Sequence, residues 1–106
     1  MTVGDRTSFD AHLEAIGHPR RRRVLFALLR VDGFEERVSV FELGCDASDR
    51  ELSLSMRHVH LPKLAGTGLV EFDEELSVRR GPAFDRIEPL AELLDENRGR
   101  LAGDLT

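Results

Sequence analysis

The apolar positions of the chain recur with a helical period in several stretches and alternate in two short ones. The stretch from Ser48 to Gly66 predicts one long helix. Ser48-Asp49-Arg50-Glu51 has the spacing of a capping box, in which the Ser hydroxyl takes a free amide and the Glu three residues on reaches back. Gly66 and Gly68 follow the last apolar positions and permit the left-handed conformation that stops a helix. Residues 69–73 and 76–80 then read as half-buried strands, with Glu74-Glu75 between them as a minimal hairpin.

The other elements follow the same logic. Ser8 is placed to cap a short helix with Phe9, Leu13 and Ile16 on one face, stopped by Gly17. Pro19 fits a first helical position, where its missing N–H costs nothing. The helix it opens, 19–31, carries Val24, Leu25, Phe26, Leu28, Leu29 and Val31 and predicts the central buried element, closed by Asp32-Gly33. Residues 38–40 predict a short strand paired against the hairpin. Ser39-Val40-Phe41-Glu42 is a second capping box, opening a helix of little more than a turn that ends at Gly44. Asp85-Arg86-Ile87-Glu88 is a third, with Phe84 and Pro89 spaced as a hydrophobic staple, before a helix over 86–98 that Gly99 ends. The whole is one domain, 1–106, with a core over 8–80 and a C-terminal helix within 84–101. The fold class is α+β.

Two helix faces bear on function. With Leu61 as the core-facing zero of the long helix, at about 100° per residue, Leu54, Leu64 and Ala65 fall near it. Leu52, Ser55, Met56, Val59 and Lys63 lie opposite, with His60 at the flank and Arg57 and His58 beside the core face. Pro62 lacks the N–H that would bond the His58 carbonyl, which predicts a kink. On the last helix, Ile87, Leu90, Ala91 and Leu94, with Leu101 beyond, form a stripe long enough to predict a homodimer interface.

Composition narrows the class. Charged residues make up 33% and apolar ones 41%, which suits a globular chain, not a disordered one. The net charge is −5, and the basic residues are 14 Arg and one Lys. Few lysines and many carboxylates suit solubility in concentrated salt. The charge is uneven: residues 1–70 balance ten acids with ten bases, whereas residues 71–106 set ten against five. Net negative charge argues against an unspecific nucleic-acid coat. The run Arg20 to Arg23 has two readings, a phosphate contact or pairing with the many carboxylates. Cys45 stands alone, which excludes an internal disulfide and fits a reducing, cytoplasmic compartment. No apolar run approaches a membrane span. His58 and His60 stand about 200° apart on a helix and do not share a metal. No phosphate-binding loop, nucleophile elbow, zinc-protease or Cys-x-x-Cys motif occurs, so neither an enzyme nor a cofactor or metal site is expected.

The order long helix, glycine stop, hairpin is that of a winged helix-turn-helix. KLAGTGLVEF resembles the end of the recognition helix and first wing strand in regulators of the ArsR and MarR kind. HVHLPKLAGTGLVEFD is closer still to a haloarchaeal winged-helix domain family, and HPRRRRVLFALL at 18–29 resembles both. The resemblance implies double-stranded DNA as partner and transcriptional regulation as function. It also implies that the outward face of the long helix reads bases, through Ser55, His60 and Lys63, with Arg57, Arg79 and Arg80 on the phosphates. The acidic tip Asp73-Glu74-Glu75 departs from wings that grip DNA with cations. Together with the apolar outward face, it leaves a second expectation open: a protein partner held by that face.

Overall fold

The computed structural model describes residues 3–43 and 49–101, with backbone alone for 3–8. Among these, four helices and a three-stranded antiparallel sheet make an α+β fold. In chain order they are α1 (Val3–Ile16), α2 (Pro19–Leu29), β1 (Val38–Ser39), a 3-10 turn (Val40–Leu43), α3 over residues 50–66, β2 (Val70–Phe72), β3 (Ser77–Arg80) and α4 (Phe84–Glu96). No described helix is long and apolar enough to cross a membrane.

The core gathers on α2, whose Val24, Leu25, Phe26 and Leu28 are buried and meet Leu61 and Leu64 of α3 and Ile87 and Ala91 of α4. Pro19 opens α2 as expected, and the ring Nδ1 of His18 accepts the Arg20 amide at 3.2 Å as its cap. The helix ends at Leu29, two residues short of the expected 31. The other expected caps mostly fail. α1 begins at Val3, so Ser8 lies inside it. Among its described side chains Ala15 and Ile16 are buried, whereas Phe9 and Leu13 are exposed. The second box opens a 3-10 turn, with the Ser39 hydroxyl accepting the Phe41 amide at 3.2 Å; Gly44 and Cys45 lie outside the described residues. α3 is capped by Asp49, whose Oδ1 accepts the Leu52 amide at 3.0 Å; Ser48 lies outside the described residues.

The sheet runs β1-β3-β2. β2 and β3 pair Glu71 with Arg79 on the outer face, and Val70 with Arg80 and Phe72 with Val78 on the inner. α3 enters this sheet through a two-bond glycine stop: the Gly68 amide bonds the Ala65 carbonyl and the Leu69 amide the Leu64 carbonyl, with Gly68 at φ +77°. The hairpin loop is one residue longer than the minimal form. Leu76 takes φ +61°, a conformation costly to a branched side chain, yet it is fully buried. Its amide bonds the Asp73 carbonyl, its carbonyl accepts the Val40 amide, and Asp73 Oδ1 accepts the Glu75 and Ser77 amides. Burial of the leucyl group and these bonds hold it there.

α4 starts at Phe84, two residues before the expected 86, with Ala83 at the cap position and no side-chain cap. The Asp85 box and the Phe84–Pro89 staple do not form: Phe84 is buried and Pro89 is exposed. Backbone instead ties the turn before α4 to the α3 stop, with Gly81 N–H donating to Leu69 O at 2.9 Å and Ala83 N–H to Gly68 O at 2.8 Å. This approach leaves no room for a side chain at Gly81. A Cβ there would overlap the Gly68 carbonyl and lie 2.8 Å from the Val70 amide nitrogen. Backbone cannot give as a side-chain tip can, so Gly81→Ala is expected to destabilise the domain by more than about 2 kcal/mol in urea titration.

Candidate functional site

The surface that sequence singled out is the outward face of α3, and a change of helical period decides what it contains. Residues Met56–His60 form a π turn between the α sections Arg50–Ser55 and Leu61–Gly66, with the Leu61 amide bonding the Met56 carbonyl. The turn lies directly before Pro62, so the expected break takes this form. A π turn advances roughly 80° per residue against about 100° in an α-helix. Met56 therefore comes to within about 40° of Leu61 instead of about 140° away, and Leu54 moves to about 120° from it instead of about 20°. Met56 is accordingly buried and Leu54 is 50% exposed, the reverse of both expectations. Leu52, expected outward, packs half-buried on the core.

The outward face is thus Glu51, Leu54, Ser55, His58, Val59, Pro62 and Lys63, all exposed except the half-buried Ser55. His58, expected on the flank of the core face with an outward reach, stands fully on the outward face because of the phase change before the proline. Lys63 faces outward as expected, but its Nζ stands 2.6 Å from Glu14 Oε1 at the end of α1. That pairing holds the Glu14 carboxyl below its ordinary range. Arg57 is half-buried and makes no ion pair with another described residue.

The expected base donor His60 is instead 4% exposed, part of a joint between α1, α2 and α3. Arg21, itself buried, sends Nε to the Ala15 carbonyl at 3.0 Å, Nη2 to the Glu14 carbonyl at 2.8 Å and Nη1 to His60 Nδ1 at 3.2 Å. Arg22 adds a bond to the Ile16 carbonyl at 2.9 Å. Arg21 thus spends its donors on the last carbonyls of α1 and on His60, and Arg22 adds a bond to the same helix end, where the helix dipole favours a cation. A guanidinium can only donate, so His60 Nδ1 must accept and the ring is neutral with its proton on Nε2. The His18 ring lies against it, centroids 4.3 Å apart. Burial first, then His18, Arg21, Arg20 and Lys63, pushes His60 down from 6.5 to about 4. Burial and the neighbouring arginines lower His18 as well.

The expected phosphate contacts of the hairpin are also occupied. Arg79 binds Glu71 at 2.7 Å and Glu35 at 3.4 Å. Arg80 lies on the inner sheet face, its guanidinium donating to the carbonyls of Leu28 (3.0 Å) and Val31 (3.4 Å) and resting 4.9 Å over the Phe84 ring. The tip Asp73, Glu74 and Glu75 is exposed, with Asp73 paired to Arg37 at 3.5 Å. The expected dimer stripe is likewise used within the chain. Ile87 and Ala91 are fully buried against α2, and Leu90 and Leu94 pack half-buried on the core. The exposed apolar groups of that region are Leu93 and Leu101. Among the described residues no three His, Cys, Asp or Glu side chains converge as a metal site. Compared with known proteins, the chain matches no family model, no curated protein and no solved structure.

Two outcomes follow from this geometry. Because the core selects the π register, Pro62→Ala recovers little of the roughly 3 kcal/mol that proline costs an α-helix interior. Its unfolding free energy in urea should lie within about 1 kcal/mol of wild type. His60 favours the neutral ring only when folded, so its contribution is complete above the unfolded pKa of 6.5 and is lost as pH falls toward about 4. The loss is on the order of 3 kcal/mol. His60→Gln keeps an acceptor for Arg21 without titrating. Urea titrations at pH 7 and pH 4.5 should show wild type losing markedly more stability than the variant.

Proposed function

We propose that this protein is a small winged-helix DNA-binding protein, a transcriptional regulator working as a homodimer, in line with the resemblance of its HVHLPKL stretch. The observation that carries this reading is the sequence of elements on one side of α2. The 3-10 turn stands where the first helix of a helix-turn-helix belongs, α3 follows with one face free of the core, and the β2–β3 hairpin comes directly after the Gly68 stop. The free face would lie in the major groove, with His58 and Lys63 as donors to base edges and Ser55 and Arg57 beside them. His60 and Arg80 have no part in it, being held inside the fold. For the dimer, the exposed Phe9 and Leu13 of α1 and Leu93 of α4 replace the stripe expected from sequence, keeping the terminal helices as the interface.

One observation favours a second reading, a winged-helix module that binds protein instead of DNA. Leu54 and Val59, each about half exposed, and Pro62 make the centre of the free face apolar, and the exposed hairpin tip is acidic.

An anisotropy titration against duplexes selected from a random pool, over a salt series, separates the two. With few unpaired cations on the face, the DNA reading expects a shallow log–log salt slope of about −2 to −3. His58→Ala and Lys63→Ala should each weaken specific binding by roughly 1–3 kcal/mol. Glu14→Gln, which releases Lys63, should tighten it. If no duplex binds at any salt, or both alanine variants bind like wild type, the DNA reading fails and the protein reading takes its place.

A further inference from the structure

Between α2, the 3-10 turn and the turn after α4 lies a hollow of about 260 Å³, to which no residue of α3 contributes. Its floor is Ala27 of α2 and Leu43 of the 3-10 turn, both half-buried, beside the buried Phe26. Arg23, Arg30 and Arg98 form its walls. Arg30 and Arg98 both bind Asp95, Arg30 through two bonds at 2.9 and 3.0 Å. Arg30 also donates to the Phe26 carbonyl at 2.9 Å, and the Arg98 guanidinium lies 4.8 Å over the Phe26 ring. These contacts fix that side of the hollow. Arg23 stands one turn before Ala27 on α2, exposed and without an ion pair to any described residue.

Charge and room together limit what fits. Three guanidinium cations stand against one carboxylate, in a chain with five more acids than bases. A guanidinium only donates, and it bonds oxyanions two oxygens at a time, so the hollow suits an oxyanion. At about 30 Å³ for each water, it has room for roughly nine. The four oxygens of one phosphate fill about half of that space, whereas the seven of a diphosphate fill most of it. A diphosphate also has one charged group for Arg23 and another for the Arg30–Arg98 pair.

We propose that this hollow binds a diphosphate, either free or as part of a nucleotide. One phosphoryl group lies against Arg23 and the other between Arg30 and Arg98, while Asp95 holds those two guanidinium groups in place. The bound ligand adds Arg23 to the joint that Asp95 makes between α2 and the end of α4. The site stands independently of the DNA reading, because it uses no residue of α3 and its occupancy is measured without any duplex.

The test is a calorimetric titration of the full chain with sodium pyrophosphate at constant ionic strength, together with NMR of the arginine Nε–H groups. Saturable binding is expected, with shifts at Arg23, Arg30 and Arg98. Orthophosphate, which has one phosphoryl group, and citrate, which has charge without phosphorus, should each bind at least about tenfold more weakly. ADP separates the two sources: tighter binding than pyrophosphate assigns the site to a nucleotide, and weaker binding to the free diphosphate. Arg23→Gln should weaken pyrophosphate about tenfold with an unchanged melting temperature, since that side chain holds no part of the fold. Ala27→Glu, which sets a carboxylate on the floor, should abolish binding. Arg20→Gln removes the same charge one turn earlier, outside the hollow, and should change binding less than about twofold. The proposal is overturned if pyrophosphate does not saturate in the millimolar range, or if orthophosphate or citrate binds as well. It is overturned equally if Arg23→Gln or Ala27→Glu binds like wild type, or if Arg20→Gln is as weak as Arg23→Gln.

Discussion

The burial of Met56 is the constraint on which the shape of this molecule turns. An α3 that was regular throughout would send Met56 into solvent and Leu54 into the core. The methionine and the leucine that follows it by five residues are both buried, so the helix adopts the wider turn that lets them share a face. Pro62, placed just after that turn, has no amide to satisfy in the first turn of the section it joins. The phase set there has consequences in both directions. It turns His60 further inward, where it meets Arg21, and it carries His58 outward. The joint between three helices and the free face of α3 are thus two results of one local change in winding.

Much of the architecture was legible in the residues, and the reasons are local. Proline after His18 and glycine at 68 act through their own backbones, so α2 begins and α3 ends where these residues stand. The hairpin is legible because alternation at 69–80 has one sense only. The misses share a different cause. The box at 85 has the right spacing, but α4 starts one residue before it, so Asp85 stands inside the first turn; at the start of α3 it is Asp49 that takes the Leu52 amide. A capping motif states what a side chain is able to do; it does not state what competes with it. The acceptors of Arg21 and Arg22 were hidden for the same reason, since carbonyls at the end of α1 carry no mark in the sequence.

The candidate site was less legible than the fold because it depends on helical phase. Lys63 lies after the π turn, where the assumed period holds, and it faces outward as read. Within and before the turn the phase shifts: His60, Met56 and Leu54 each landed on a face other than the one assigned. Proline signalled a disturbance at the correct place, yet sequence offers no rule for choosing between a bend and a change of winding. The stripe on α4 misled differently. Its residues are as apolar as read, but a chain with one small core needs them for itself.

The arginine joint at the end of α1 sorts the protein's electrostatics into two kinds. Contacts between exposed side chains, such as Lys63 with Glu14 and Arg79 with Glu71, sit in water, where dissolved ions gather between the partners and dull them. The guanidinium of Arg21 instead addresses neutral carbonyl oxygens from a site that mobile ions do not enter. In a dense electrolyte the first kind loosens and the second does not. The helices therefore keep their places while the surface charges are set free, so the medium itself decides which of this protein's cations stand unpaired.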